Sequence, residues 1–460
     1  MLDRRLVCDV LDEALSTGGD FAEVFAEKSH GNILNAGEGK VKESSSYLTF
    51  GVGIRVFKGH FQTYAYTNVT DRENLLKTAK KAAFALKEKR EATVLDFVNR
   101  DIENLHKIKI LHDCVKKEDK VSLLLNACRE ADAYNPLIVK SDASYLDKER
   151  QILVANSNGV WAEDRQVRTR FFLNAIACRD NVNESDRENI GGLCGWELYE
   201  NVDWKAFAAR VAQNAIDKTY AVNCPSGKMT VILNNGFGGV IFHEACGHGL
   251  EATALAKSAS VFCNKKGEKI ASELVSAVDD ATIPNAWGSY NIDDEGLKGE
   301  RKVLIENGIL KNYMVDSFNA RLMGEKPNGC SRRESYKFIP TSRMSNTFIM
   351  NGKSSLEEII ANTEYGLFAA NMQGGSVNTA SGDFNFSVDR AYIVEKGKIK
   401  QQVKGAKLIG NGADVLQNID MVGNNMTLTC GMCGSVSGSI PTTVGQPALR
   451  VQNITVGGQK

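Results

Sequence analysis

This chain of 460 residues is short of histidine, of net charge and of long apolar runs, and each shortage removes a class of function. Lys plus Arg equals Asp plus Glu, 56 each, so no global field draws the chain to nucleic acid or to an anionic membrane. No direct nucleic-acid partner is expected. No stretch approaches the ~20 apolar residues of a membrane span. The opening MLDRRLVCDVLDEAL alternates charged and apolar residues and lacks the uninterrupted apolar core of a signal peptide. Eleven cysteines, an odd number without a framework, suit a reducing compartment better than a disulfide scaffold. The expectation is a cytoplasmic protein with no membrane partner. The glycine-rich NGFGGV, residues 235 to 240, matches neither the dinucleotide fingerprint nor the P-loop, so its glycines read as allowing close helix packing.

The length is too great for one ordinary core, and two domains are expected, 1–222 and 223–460. Leu2, Leu6, Val10, Leu11 and Leu15 fall at helical spacing before Gly18-Gly19. Strand-like FAEVFAE, YLTFGVGIRVF and FQTYAYT follow, then a helix over DRENLLKTAKKAAFALKEK with Asp71 as its N-cap. After a charged connector near 90–116 the order of helix, strands and helix returns, ending in DWKAFAARVAQNAIDKTYAV. A faint match between GNILNAGEGKVKE and RQILVANSNGVWAED suggests a duplication. From residue 228 the chain is mainly strand and turn, with hairpins at Asn307-Gly308 and Lys396-Gly397 and one helix over SLEEIIANTEYG. The fold class is α+β: an α/β N-terminal domain of helix-strands-helix units and a β-rich C-terminal domain around a metal-binding helix, which Asn234 or Asn235 would cap.

Two of the six histidines stand in GVIFHEACGHGLEA, residues 239 to 252. Zinc proteases with H-E-x-x-H set their histidines four apart, within about 40° of one helix face. Here the spacing is five, and an ordinary helix would turn His243 and His248 roughly 140° apart. A shared ion therefore needs a distorted helix, through a π-bulge or a loosening where Gly247 and Gly249 flank the second histidine. A hydrolytic zinc site also needs a third protein ligand, an open position and a base beside the water. Glu244 fits the base. Candidates for the third ligand are Glu251, the pair Asp279-Asp280, the acids of NIDDEG and the thiols Cys430 and Cys433 of TCGMCGS. C-x-x-C in a cytosolic protein also reads as a redox dithiol or half of a structural zinc site. Arg332 and Arg333 of CSRRESY would hold a substrate carboxylate or stabilise an oxyanion, against the plainer reading of a loop tied to Glu334.

The motifs HEACGHGLEA, IDDEG, VLIENGIL, NARLMG, RRESY, SGDFNFSV, AYIVEKGKI, MVGN and VGQPALRVQNITVGG, and the cysteine before SGSIP, run in one order from about residue 230 to the end. In this order the chain resembles the TldD/PmbA metallopeptidases, the modulator of DNA gyrase family, and most closely the TldD branch. The resemblance implies an α/β N-terminal domain, a β-rich metal domain and dimers enclosing a cavity. It implies Zn2+ held by His243, His248 and Cys433, with Glu244 as catalytic base, and short or unfolded peptides as substrates. The partner would be a PmbA-like paralogue in a heterodimer, or a second copy in a homodimer. The PmbA-like branch lacks the histidine motif, whereas this chain keeps all of it and departs only by the additional Cys430. The function expected is a zinc-dependent metallopeptidase. The alternatives are a non-catalytic peptide-binding subunit with a structural metal, and a C-x-x-C oxidoreductase.

Overall fold

The faint repeat in the N-terminal half marks two equivalent hairpin turns. In the computed structural model, which describes residues 1–83, 89–90, 92–378 and 380–458, strands Phe21–Gly37 and Lys40–Lys58 are joined through Glu38 and Gly39. Both turn residues have positive φ, 54° and 71°, the left-handed geometry that matches strand twist in a tight hairpin. Strands Ile138–Asn156 and Val160–Arg179 turn at the matching place, with Gly159 at φ 79°. The two hairpins join antiparallel through their first strands, from Glu23 opposite Asn156 to Gly37 opposite Asp142. The sheet therefore runs Phe61–Thr67, Lys40–Lys58, Phe21–Gly37, Ile138–Asn156, Val160–Arg179, Val182–Gly192, third strand to first and then first to third. The short strand Val98–Asn99 also pairs with Val160–Arg179.

Each unit packs its own helix pair on the sheet. Helices Arg4–Ala14 and Arg72–Ala83 bury Val7, Val10, Leu11, Leu75 and Ala79 against the first unit. Lys117–Asp132 and Trp204–Lys218 bury Leu124, Ala127, Phe207 and Val211 against the second. Side-chain caps start three of the four: Asp3 accepts from Arg5 N at 2.9 Å, Asp71 from Asn74 N at 3.0 Å and Asp203 from Ala206 N at 2.9 Å. The helix expected over residues 71–89 is seen to Ala83, and its remainder at 84–88 lies outside the described residues.

In the C-terminal half an eight-stranded and a six-stranded sheet enclose one large core that includes the helix Val240–Ala245. The hairpin residues Asn307, Gly308, Lys396 and Gly397 take positive φ of 48°, 79°, 49° and 69°, as their turn chemistry requires. Helix Leu356–Ala361 begins on Ser355 with a full capping box from Glu358. Among the described residues, no helix is long and apolar enough to cross a membrane.

The halves are joined by buried charge. Arg55 donates at 2.7 Å to both Glu23 and Glu295, Arg333 reaches Glu23 at 2.9 Å, and Arg150 lies between Asp294 at 3.0 Å and Glu27 at 3.2 Å. Removing one member of such a pair strands its partner in low dielectric, at a cost of about 3–5 kcal/mol. Asp294 and Glu295 of NIDDEG and the second arginine of RRESY thus fasten the halves together. Arg333 is not tied to Glu334, whose Oε2 accepts instead from Ser439 N at 2.7 Å.

Candidate metal centre

Close packing begins before the histidines. A Cβ on Gly239 would lie 2.6 Å from the Gly445 carbonyl oxygen, and one on Gly238 2.6 Å from Gln446 Nε2. The glycines of NGFGGV therefore let the helix settle on the strand Gly438–Gln446. Neither Asn234 nor Asn235 caps it. A 3-10 turn, Gly236–Gly239, intervenes, and their amides donate to the carbonyls of Ala370 at 3.1 Å and Asn425 at 2.8 Å.

The five-residue spacing is resolved by breaking the helix. The α-helix Val240–Ala245 stops at Cys246, with φ −125° and ψ −52°, and a 3-10 turn over Gly247–Leu250 continues the chain. This tighter turn redirects His248 toward His243. The two rings come to 5.0 Å between centroids with planes 81° apart. The distortion is a helix break and not a π-bulge. Gly247 and Gly249 make it possible by lacking side chains: a Cβ would lie 2.2 Å from Met344 Sδ at the first and 2.8 Å from Phe262 Cδ2 at the second.

Cys433 arrives from the strand Thr427–Ser435 at the edge of the six-stranded sheet. Its Sγ lies 3.3 Å from Nε2 of each histidine. The donor atoms of His243, His248 and Cys433 all fall within 4.8 Å of one another, and this is the group of potential metal ligands found among the described residues. Arg343 fixes the strand here, donating to the Cys433 carbonyl and, at 2.9 and 3.0 Å, to Ser437 Oγ and the Gly438 carbonyl. Burial alone would raise the Cys433 thiol, but the two histidines outweigh it and hold it down at about 5. Burial likewise opposes charge on His248, yet Glu251 and Cys433 raise it well above the ordinary imidazole value.

The remaining candidates sort by where their valences go. Glu251 Oε2 lies 3.0 Å from His248 Nδ1, while its Oε1 accepts from Met344 N at 3.3 Å. It orients the ring and leaves Nε2 to face the thiol, as an outer partner does at a metal site. Asp279 accepts from Ser345 N and Thr347 Oγ1, both at 2.7 Å, and from Ser345 Oγ at 2.9 Å. Asp280 holds Thr282, and Asp293 accepts from three backbone amides. Cys430 stands three residues from Cys433 on a regular strand, so the two thiols point to opposite faces and cannot share an ion or form a dithiol. Its Sγ meets the Gly191 carbonyl at 3.2 Å, and burial raises that thiol to about 11.

Glu244 Oε2 lies 3.7 Å from His248 Nε2, with its side chain about a quarter exposed at 24%. It is thus beside the donors and open to water. Two imidazoles and a thiolate suit zinc. Zinc–ligand bonds of 2.0–2.3 Å imply donor separations of roughly 3.3–3.8 Å in a tetrahedron, and the two Sγ–Nε2 separations of 3.3 Å already lie at the short end of that range. Three donors leave a fourth position free. Sequence reasoning named every member of the trio but missed the supporting roles of Glu251 and Arg343. The spacing of Glu251, three residues after His248, carried a signal; Arg343 carried none.

The family model for PmbA/TldA metallopeptidases matches as three segments: domain 1 over residues 22–86, the central domain over 111–219 and the C-terminal domain over 226–458. The Metalloprotease TldD homolog of Buchnera aphidicola is 36% identical over 430 residues, covering 91% of this chain and 88% of the relative. That of Haemophilus influenzae is 34% identical over 466 residues, covering 99% and 97%. The crystal structure of TldE from Thermococcus kodakarensis matches with a TM-score of 0.79 at 20% identity, covering 98% of this chain and all of that one, which establishes the shared fold.

Proposed function

The chain belongs to the PmbA/TldD metallopeptidase family, and from that premise we propose that it is a zinc-dependent peptidase of the cytoplasm that hydrolyses short or unfolded peptides. The observation that carries this reading is the convergence of His243, His248 and Cys433 on one point, with Glu244 beside them. Zinc bound there would polarise the scissile carbonyl and lower the pKa of water toward ~7.

The chain's own residues supply the rest. Glu244 takes a proton from the attacking water and returns it to the leaving amine, a task for a carboxylate within reach but outside the ligand set. Glu251 keeps the His248 ring in the tautomer that presents Nε2 to the site. Cys433 enters as a thiolate, the form in which cysteine binds metal. The pairing of the protein into a dimer, with a PmbA-like paralogue or a second copy, belongs to the same reading. A monodisperse monomer, fully active at the concentration used for sedimentation, would overturn that part.

The central test is Glu244→Ala. We expect zinc content and fold to be retained and peptide cleavage to fall by at least ~100-fold. Cleavage at the parent rate would remove Glu244 from the mechanism, and loss of zinc would make it a ligand.

A further inference from the structure

Between the two halves lies a cavity of about 300 Å³, lined by six cationic side chains and only three acidic ones. All three acids are engaged. Asp294 accepts from Arg150 Nη1 at 3.0 Å and from Arg333 N at 2.6 Å, Asp293 from backbone amides at 2.9–3.0 Å, and Glu334 from Ser439 N at 2.7 Å. Of the cations, Arg150 and Arg333 have carboxylate partners. The other three arginines of the wall have none among the described residues.

Arg168 donates to the carbonyls of Trp287 at 3.0 Å and Ser289 at 2.6 Å and to Gln166 Oε1 at 2.6 Å. Arg170 donates to Asn189 Oδ1 at 3.0 Å and the Cys430 carbonyl at 2.6 Å. Arg332 lies over the Tyr290 ring at 5.1 Å, and its only hydrogen bond among the described residues runs from Nη1 to the Met344 carbonyl at 2.7 Å. All three are more than nine-tenths buried, at 6%, 7% and 6% exposure. Lys148 adds a fourth charge, with Glu27 at 3.8 Å already engaged by Arg150.

Buried cations without counter-charge are costly, and burial together with Arg332 and Arg150 lowers Arg168 to about 9. An anionic ligand would relieve that cost. Arg332 supplies free guanidinium donors, the geometry that receives a carboxylate in two parallel hydrogen bonds. The cavity wall draws on the two strands at the edge that carries the thiol: it includes Met432, the chain neighbour of Cys433, and Ile440, the cross-strand partner of Cys433.

We propose that this pocket receives a carboxylate of the peptide substrate, with Arg332 as its principal contact and Lys148, Arg168 and Arg170 supplying the field. The inference rests on the peptidase reading above and narrows it to peptides bearing a free carboxylate. The favoured source is the C-terminal carboxylate, because the cavity is small and a chain end enters it without threading.

Binding without turnover tests this. With zinc-loaded Glu244→Gln protein, calorimetry would compare N-acetyl-tetra-alanine carrying a free C-terminus, its C-terminal amide, and an amidated analogue ending in glutamate. The free acid should bind about tenfold or more tightly than the amide, as charge-assisted hydrogen bonds of this kind allow. Tight binding of the glutamate analogue as well would keep the carboxylate site but admit side-chain carboxylates. Arg332→Gln should bring the free acid down to the level of the amide, and Lys148→Gln, at a side chain one-third exposed (33%) and so tolerant of replacement, should weaken it in the same direction. Equal binding of all three peptides to the Glu244→Gln protein would overturn the proposal. Because no cleavage is measured, failure of the peptidase reading would leave the contrast between acid and amide intact.

Discussion

Residues 243–251 and residues 279–295 carry potential metal ligands of comparable quality in the sequence, two histidines and two glutamates in one and two acidic clusters in the other. Folding treats them differently. In the acidic segment every cluster is absorbed: Asp279 by Ser345 and Thr347, Asp293 by three amides, and Asp294 and Glu295 by arginines of the other half. In the histidine segment the two Nε2 atoms and the Cys433 thiol turn toward one another, and Glu251 is spent on orienting one ring. The residue type nominates a ligand, but the unspent valence decides. A saturated carboxylate is a rivet; a set of donors whose best partner is each other is a place for an ion.

The largest effect that would test this contrast is at Cys433. Cys433→Ala should abolish both zinc stoichiometry and cleavage, because two imidazoles alone make a poor three-ligand hydrolytic site. Asp280→Asn, on the acidic side of the comparison, should keep both. Metal analysis of the purified proteins reads the first quantity and a peptide assay the second. If the two variants exchanged behaviours, the acidic segment would hold the metal and the assignment would be reversed.

A smaller effect in a different observable comes from Asp279. Asp279→Asn replaces an acceptor of three hydrogen bonds by one whose amide end faces donors. Stability should fall by about 1–3 kcal/mol, the usual cost of leaving buried polar groups unmatched. Zinc content should not change. Urea unfolding followed alongside metal content separates the two: zinc loss at unchanged stability would make Asp279 a ligand instead of a structural anchor.

Much of this was legible in the sequence because it was local. Turn residues with positive φ announced the hairpins at Asn307-Gly308 and Lys396-Gly397, and helical spacing announced the helix that carries Val10 and Leu11. The weak similarity of two segments proved to mark corresponding hairpin turns, since a turn constrains its residues more tightly than the strands around it. The failure at Asn234 and Asn235 has the opposite origin. Their side chains were claimed by Ala370 and Asn425, whose partners lie 136 and 190 positions away and leave no periodic trace. Arg332 and Arg333 illustrate the same limit: both line the cavity, yet Arg333 pairs with Glu23, 310 positions away, while Arg332 has no carboxylate partner among the described residues.

The smallest expected effect is at Cys430, and it is the most exacting test of the rule about unspent valence, because chemistry alone cannot tell its thiol from that of Cys433. Both lie on the strand Thr427–Ser435, three residues apart, and a regular strand sends such positions to opposite faces. The pairing with Gly438–Gln446 runs through this stretch without a bulge, so nothing rotates one thiol toward the other. Cys430 instead meets the Gly191 carbonyl at 3.2 Å, and burial raises its thiol to about 11, so it stays protonated where Cys433 is a thiolate. Protonated sulfur is a poor zinc ligand. Cys430→Ala should therefore leave zinc stoichiometry and cleavage at the parent level and change stability by less than about 1 kcal/mol, the scale of one weak contact and a small loss of apolar area. Thiol labelling of the zinc-free protein should find Cys433 the faster of the two to react, since the thiolate is the nucleophile. Loss of zinc in Cys430→Ala would mean that the strand rotates when metal binds, and that donors on opposite faces of a strand cannot be dismissed as ligands.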